Sequence, residues 1–127
     1  MIVVVTTDDG AFAVDLETAE LDPWEGELQP EPELVLNLPR VVDAAAAGAT
    51  VVAVVDAKPP LLVSHDGGST WRQSGRGLPA GRAVAIAADN PDVAVYAARN
   101  RLYVTRDGGV FWAGLDVELP EIRGVFL

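Results

Sequence analysis

The chain has 127 residues, of which half are hydrophobic, and a formal net charge of -10. This length suits one domain with a sizeable apolar core. The absence of cysteine excludes disulfides and thiolate metal sites, and a single histidine excludes a multi-histidine metal site within one chain. The acidity argues against nucleic acid and anionic membrane surfaces as main partners.

Residues 1–39 predict an incomplete β-sheet unit. Ile2–Thr6 and Ala11–Leu16 have the composition of strands, and Asp8-Asp9-Gly10 between them is a hairpin turn of the Asp-Gly type. A loop rich in Glu and Pro follows over Glu17–Pro32. We expect Leu34–Leu38 to form the last strand of this unit.

Residues 40–80 predict a complete unit of four strands. Val41–Ala46, Val51–Asp56 and Leu61–Ser64 are apolar and separated by Gly or Pro turns. The fourth segment, Trp71–Leu78, is more polar, which suits a strand at the edge of a sheet.

Residues 81–120 predict a second complete unit with the same order of strands. These are Ala83–Ala88, Val93–Ala98, Leu102–Thr105 and Phe111–Val117. Residues 121–127 then predict one further strand, which closes the unit that residues 1–39 leave without a first strand.

A repeated motif links the two complete units. Residues 64–71 read SHDGGSTW and residues 105–112 read TRDGGVFW, so both fit S/T-x-D-G-G-x-x-W. Asp66 and Asp107 are 41 residues apart, and so are Trp71 and Trp112. A fixed period of this length, with a glycine turn and an aromatic residue, is typical of the blades of a β-propeller.

This octapeptide resembles the Asp-box, or BNR repeat, of sialidases, sortilin-type receptors and propellers of the photosystem II assembly and stability factor type. The resemblance implies an all-β propeller with four antiparallel strands in each blade. It also implies that the motif is a structural turn remote from any active or binding face. The residues with this structural role are Ser64, Asp66, Gly67, Gly68, Trp71, Thr105, Asp107, Gly108, Gly109 and Trp112.

Counting blades predicts the assembly. Two full blades and one blade split between the termini make about three per chain, whereas propellers usually have four to eight. We therefore expect a homodimer with a six-bladed ring, in which Leu127 and its strand enter the first blade of the partner. A closed three-bladed monomer, a fragment of a longer propeller and a nine-bladed ring of three chains remain as alternatives.

The candidate ligand-binding residues are five arginines at one end of the predicted blades. Arginine suits anionic ligands because its guanidinium donates two parallel hydrogen bonds. The competing interpretation, which we favour, pairs them with neighbouring acids such as Asp43 or Glu121. The arginines are Arg40, Arg82 and Arg123 before the first strands, and Arg99 and Arg101 in a connection.

The sequence predicts no catalytic residue, cofactor or metal site. The sialidase likeness implies a tyrosine nucleophile paired with a glutamate, but neither Tyr96 nor Tyr103 has such a neighbour in the repeat. The acidic loop Glu17–Glu33 matches no known Ca²⁺ loop spacing, so we interpret it as solvated. His65 and Trp24 are interpreted as an exposed loop residue and a loop anchor, the latter also suited to a protein partner.

The resemblance to propellers of the stability-factor type implies a non-catalytic propeller that binds a protein or acts as an assembly scaffold. An anionic small-ligand binder and a sialidase-like glycoside hydrolase are the alternatives. The N-terminal residues Met1–Val5 lack the basic start of a signal peptide. The expected location is therefore the cytoplasm.

Overall fold

The computed structural model describes residues 1–28 and 34–127, and within them it contains twelve β-strands and no helix. No helix long and apolar enough to cross a membrane occurs in these ranges. The strands are β1 (Ile2–Thr7), β2 (Gly10–Asp15), β3 (Leu21–Pro23), β4 (Val41–Ala47), β5 (Thr50–Val55), β6 (Leu61–Ser64), β7 (Arg72–Ser74), β8 (Ala83–Ala87), β9 (Asn90–Ala98), β10 (Arg101–Thr105), β11 (Ala113–Gly114) and β12 (Ile122–Phe126).

The strands form three antiparallel sheets of four strands each, as the sequence predicts. Blade A has the order β12-β1-β2-β3, blade B the order β4-β5-β6-β7, and blade C the order β8-β9-β10-β11. Strand β8 contacts both β4 and β12, so blade C lies between the other two blades. In the described ranges no comparable contact joins a strand of blade A to a strand of blade B.

Two apolar clusters cover the two faces of blade C. Ala83 and Ala85 belong to the cluster shared with blade A, whereas Val84 and Ile86 belong to the cluster shared with blade B. Successive side chains of a strand point to opposite faces of the sheet. Strand β8 is therefore apolar throughout and buried along its whole length.

Two hairpins have connections of the same length. Thr7 pairs with Gly10 across two connecting residues in blade A, and Ala98 pairs with Arg101 across two connecting residues in blade C. The turns themselves differ, because Arg99 adopts a left-handed φ of 56° in the second hairpin, whereas in the first the positive φ falls on Gly10, at 111°. Because both loops have the same length, residue pairs at the same distance from the two turns occupy equivalent positions in blades A and C.

The fourth strand of blade A differs from the prediction. It is Leu21–Pro23, which lies inside the Glu- and Pro-rich segment, and the described residues Leu34–Leu38 form no strand. Oδ1 of Asp15 accepts the backbone N–H groups of Glu17, at 2.8 Å, and Thr18, at 3.2 Å. This turn reverses the chain directly after β2, so the next residues reach the sheet edge early.

The fourth strands of the other two blades are shorter than predicted. Strand β7 covers only Arg72–Ser74, because Gly75 has a φ of 75° and accepts the N–H of Leu78 in a turn at 3.0 Å. Strand β11 covers only Ala113–Gly114. Both blades therefore have a short outer strand, which limits unpaired backbone at the edge.

The closing strand β12 pairs with β1 of its own chain and supplies the first strand that residues 1–39 lack. In β12, Val125 pairs with Val5 and Phe126 with Val4 of β1. The N–H of Ile122 donates to the carbonyl of Arg99 at 2.6 Å, and the Ile122 side chain is fully buried between blades A and C. Because blade A already packs on blade C, this strand reaches its neighbour without a second chain. The homodimer and the exchange of this strand with a partner stay predictions.

Candidate functional site: the groove and the outer flanks

In the first Asp-Gly-Gly turn, both carboxylate oxygens of Asp66 accept hydrogen bonds from the turn itself. Its Oδ1 accepts the hydroxyl of Ser64 at 2.7 Å and the N–H of Thr70 at 2.9 Å, and its Oδ2 accepts the Thr70 hydroxyl. The N–H of Gly68 donates to Oγ of Ser64 at 2.8 Å. These donors, the Thr70 hydroxyl first, lower the pKa of Asp66 to about 2.

The second turn has the same design. Oδ1 of Asp107 accepts the Thr105 hydroxyl at 2.8 Å and the N–H of Phe111 at 3.0 Å. The N–H of Gly109 donates to Oγ1 of Thr105 at 2.9 Å. The Phe111 amide is the main cause that lowers the pKa of Asp107. Both carboxylates are thus committed to local hydrogen bonds.

Paired glycines give both turns their shape. Gly67 and Gly68 have φ values of 72° and 95°, and Gly108 and Gly109 have values of 74° and 92°. An L side chain rarely adopts this conformation, so each pair marks a backbone requirement.

The two motif tryptophans have different surroundings. Nε1 of Trp112 donates to Oγ of Ser74 at 2.8 Å, which ties blade C to the last strand of blade B. The Trp112 ring meets the ring of Tyr96 edge-on, with centroids 6.3 Å apart. Trp71 holds the same motif position in blade B, but its indole N–H makes no hydrogen bond within residues 1–28 and 34–127.

The remaining contacts at the B–C junction are also hydrogen-bonded. The Ser74 hydroxyl donates to the carbonyl of Gly109, and the Tyr96 hydroxyl donates to the carbonyl of Pro79 at 2.7 Å. Burial raises the pKa of Tyr96 to about 12, so this phenol stays protonated and acts as a donor. Sequence reasoning missed Ser74, since nothing in the repeat marks it.

A groove of about 700 Å³ lies along the first strands of the three blades. It is lined by residues 34–36, by the starts of β4 and β8, and by β12. Among the described residues of this lining, Asp43 is the only carboxylate, and its Oδ2 accepts the N–H of Val84 at 3.0 Å. Partial burial raises the pKa of Asp43. The described part of the groove therefore contains one acid, and that acid is already hydrogen-bonded to the backbone of β8.

Two of the predicted arginines meet at this groove. Arg82 and Arg123 both line it, and both lie close to Glu121, at 3.4 Å and 3.8 Å. Nε of Arg123 also donates to Oδ1 of Asp8 at 2.7 Å, which lowers the pKa of Asp8. These guanidinium groups are thus partnered by acids of the chain itself.

The other predicted arginines lie elsewhere. Arg40, Arg99 and Arg101 are exposed, do not line the groove, and make no ion pair among the residues that the structure describes. The predicted set of five is therefore not gathered into one site.

The other candidates form no reactive cluster. His65 is exposed, and its Nδ1 lies 3.3 Å from the Thr50 hydroxyl. Glu17 pairs with the N-terminal ammonium at 2.8 Å. Trp24 is half-buried and covers Gly26. No group of three acids or histidines that could hold a metal occurs in the described ranges, and Glu31 and Glu33 of the acidic loop lie outside them.

Each end blade has one face that points away from blade C, which we call its outer flank. Across blade A the outer flank follows the paired residues Phe126, Val4, Ala13 and Asp22. Val4 is half-buried, whereas its neighbours Val3 and Val5 are fully buried against blade C.

The outer flank of blade B follows Ala44, Ala53, Leu62 and Gln73. Ala44 and Leu62 are half-buried, and Ala53 between them is fully buried. Both outer flanks are thus apolar at the centre, with a polar residue on the last strand. The alternation of each strand predicts two faces, but only the structure identifies the outer one.

Comparisons with known proteins support the fold. No family model and no curated protein matches the sequence. Among solved structures, the chain is similar to the GH74 enzyme of Niastella koreensis, with 22% sequence identity and a TM-score of 0.50. The match covers 93% of this chain and 18% of that one, so the chain spans under a fifth of the enzyme's length. The likeness, together with the three sheets, shows a propeller-like all-β fold.

Proposed function

We propose that this protein is a non-catalytic scaffold unit that associates with protein through the outer flanks of blades A and B. One observation carries the proposal. Blade C is covered on both faces, whereas blades A and B are each covered on one face by blade C. A propeller blade is stabilised by neighbours on both sides, so the end blades have unused docking faces.

The arrangement of acids supports a non-catalytic role. Glycoside hydrolysis generally uses two carboxyl groups on either side of the scissile bond. Asp43 is the only acid that the described residues place in the groove lining, and it accepts the N–H of Val84. Asp66 and Asp107 are engaged in their own turns. The alternative of an anionic ligand has less support, because Arg82 and Arg123 are already paired with acids.

The experiment is a dilution series with absolute mass measured by light scattering. We expect the wild-type chain to exceed the 13.4 kDa of one copy. The substitution Val4→Glu places a charge on the outer flank of blade A and should reduce the mass to that of one copy. Val110→Glu is the matched control, since Val110 is exposed in the second turn, away from both flanks.

The expected pattern is loss of association in the first variant and wild-type mass in the second. Circular dichroism of both variants checks that the sheets persist. A wild-type mass of one copy at every concentration would overturn the scaffold proposal for self-association through these faces.

A further inference from the structure

We infer that the occupant of the outer flanks is a second copy of this chain, with blade A of each copy packed on blade B of the other. The result is a closed six-bladed ring with two-fold symmetry. The inference rests on the proposed function and names its partner. It differs from the arrangement with exchanged strands, because each closing strand stays in its own blade.

Residue pairs counted from two hairpins of equal loop length indicate that the two outer flanks are complementary. Counted from the turn, the third residue pair of blade C is Tyr96 with Tyr103, and Tyr96 packs in the cluster shared with blade B. The third pair of blade A is Val5 with Phe12, which packs in the cluster shared with blade C. Blade A therefore packs on blade C with the same face that blade C uses to pack on blade B.

The second pair completes the comparison. In blade C this pair is Ala97 with Leu102, and it packs against blade A. The equivalent pair of blade A is Thr6 with Ala11, and it lies on the outer flank. The chain thus forms the same kind of interface between blades B and C and between blades C and A. The outer flank of blade A and the outer flank of blade B each correspond to one half of a further interface of this kind. Such a pair of ends associates head to tail.

The tryptophans identify the missing neighbour as a blade. Trp112 donates its indole N–H to Ser74 of the preceding blade at 2.8 Å. Trp71 has the equivalent place directly before β7, and its N–H lacks a partner in the described part of the chain. The face that contains Trp71 is the one on which a preceding blade belongs. The outer flank of blade A in a second copy is the face that matches this position.

The number of copies follows from the number of blades. Head-to-tail contacts give a ring if the rotation closes and a filament if it does not. Propellers typically close with four to eight blades. Two copies with three blades each give six, whereas three copies give nine. In the two-copy ring, the groove lined by β4, β8 and β12 becomes one half of a shared channel.

A charge-pair experiment tests this arrangement. Val4→Lys places a cation on the outer flank of blade A, and Leu62→Glu places an anion on the outer flank of blade B. Each variant alone should be reduced to the 13.4 kDa mass of one copy, because its charge meets an apolar partner face. An equimolar mixture should recover twice that mass, since one interface then pairs Lys with Glu and the other is wild-type.

Recovery in the mixture also shows that both variants are folded. The like-charge pair Val4→Lys with Leu62→Lys is the control. Its mixture should stay at the mass of one copy, because Lys would then face Lys across the interface. A wild-type dimer whose mixed variants fail to associate would overturn the ring while leaving the scaffold proposal intact. Masses that grow without limit as concentration rises would indicate a filament and would also overturn the ring. A wild-type chain that is always monomeric would overturn both proposals.

Discussion

Blade C and blade B are built from the same repeat, but only blade C has a neighbour on each face. The Trp112 indole of blade C is hydrogen-bonded to blade B, and the Tyr96 side chain is fully buried between them. The equivalent Trp71 of blade B has no such bond among the described residues. The difference indicates that the sequence repeat determines the fold of each blade. The contacts that a blade makes depend on whether it lies between two other blades or at one end of the three.

Loss of the central aromatic residue should have the largest effect. Tyr96→Ala removes a fully buried ring and the hydrogen bond to Pro79, so we expect a loss of about 3–5 kcal/mol in the free energy of unfolding. Tyr103→Ala is the matched control, because Tyr103 is only half-buried on the adjacent strand. Urea unfolding measures both. Equal losses would show that burial between blades B and C does not distinguish the two sites.

Neighbouring valines of β1 compare the inner and outer faces of blade A. Val5→Ala removes two methyl groups from the cluster shared with blade C and should cost about 2 kcal/mol. Val4→Ala acts on the outer flank and should cost less than about 1 kcal/mol in dilute protein. Unfolding in urea at low protein concentration tests the pair. The reverse ranking would contradict the assignment of the two faces.

The two tryptophans give a smaller and more specific contrast. Trp112→Phe removes the bond to Ser74 and leaves that hydroxyl without its donor, which should cost about 1 kcal/mol more than Trp71→Phe. Thermal unfolding of the two variants provides the measurement. If Trp71→Phe is the more damaging in dilute protein, then the indole of Trp71 has a partner within its own chain.

The acids predict opposite dependences of stability on pH. The pKa of Asp66 is lowered to about 2 in the folded chain, below its unfolded value near 4. Its contribution is complete above the unfolded pKa and is lost as pH falls through the folded pKa. The pKa of Asp43 is raised by burial, so its ionised form opposes folding, and this cost disappears as pH falls through the raised pKa.

Urea unfolding across pH separates these two effects. Asp66→Asn should flatten the loss of stability between about pH 4 and pH 2. Asp43→Asn should raise stability at neutral pH, because Asn can still accept the N–H of Val84 without a buried charge. A drop in stability at neutral pH for Asp43→Asn would show that its charge is needed at the groove.

Local features of the fold were predictable from the sequence. The glycine pairs at positions 67–68 and 108–109 require positive φ, and an acid two residues after a hydroxyl can close such a turn on itself. The continuous apolar runs in β5 and β9, bounded by turn residues, likewise predict strands. These elements depend on interactions between residues close in sequence.

Features that depend on distant residues were not predictable. Strand β3 consists of Leu21–Pro23, and three residues within an acidic, proline-rich segment are too few for a periodic pattern. The bond between Trp112 and Ser74 joins residues 38 apart in sequence. Such outcomes are decided by tertiary packing.

The most direct test of the outer-flank account is ¹⁹F NMR of the chain labelled with fluorotryptophan. The sequence contains three tryptophans, so three signals are expected, and Trp71→Phe assigns the signal of interest. The account predicts that the Trp71 signal shifts as the protein is diluted and the second copy leaves, while the Trp112 signal stays constant. A Trp71 signal independent of concentration, or a shift confined to Trp112, would contradict it.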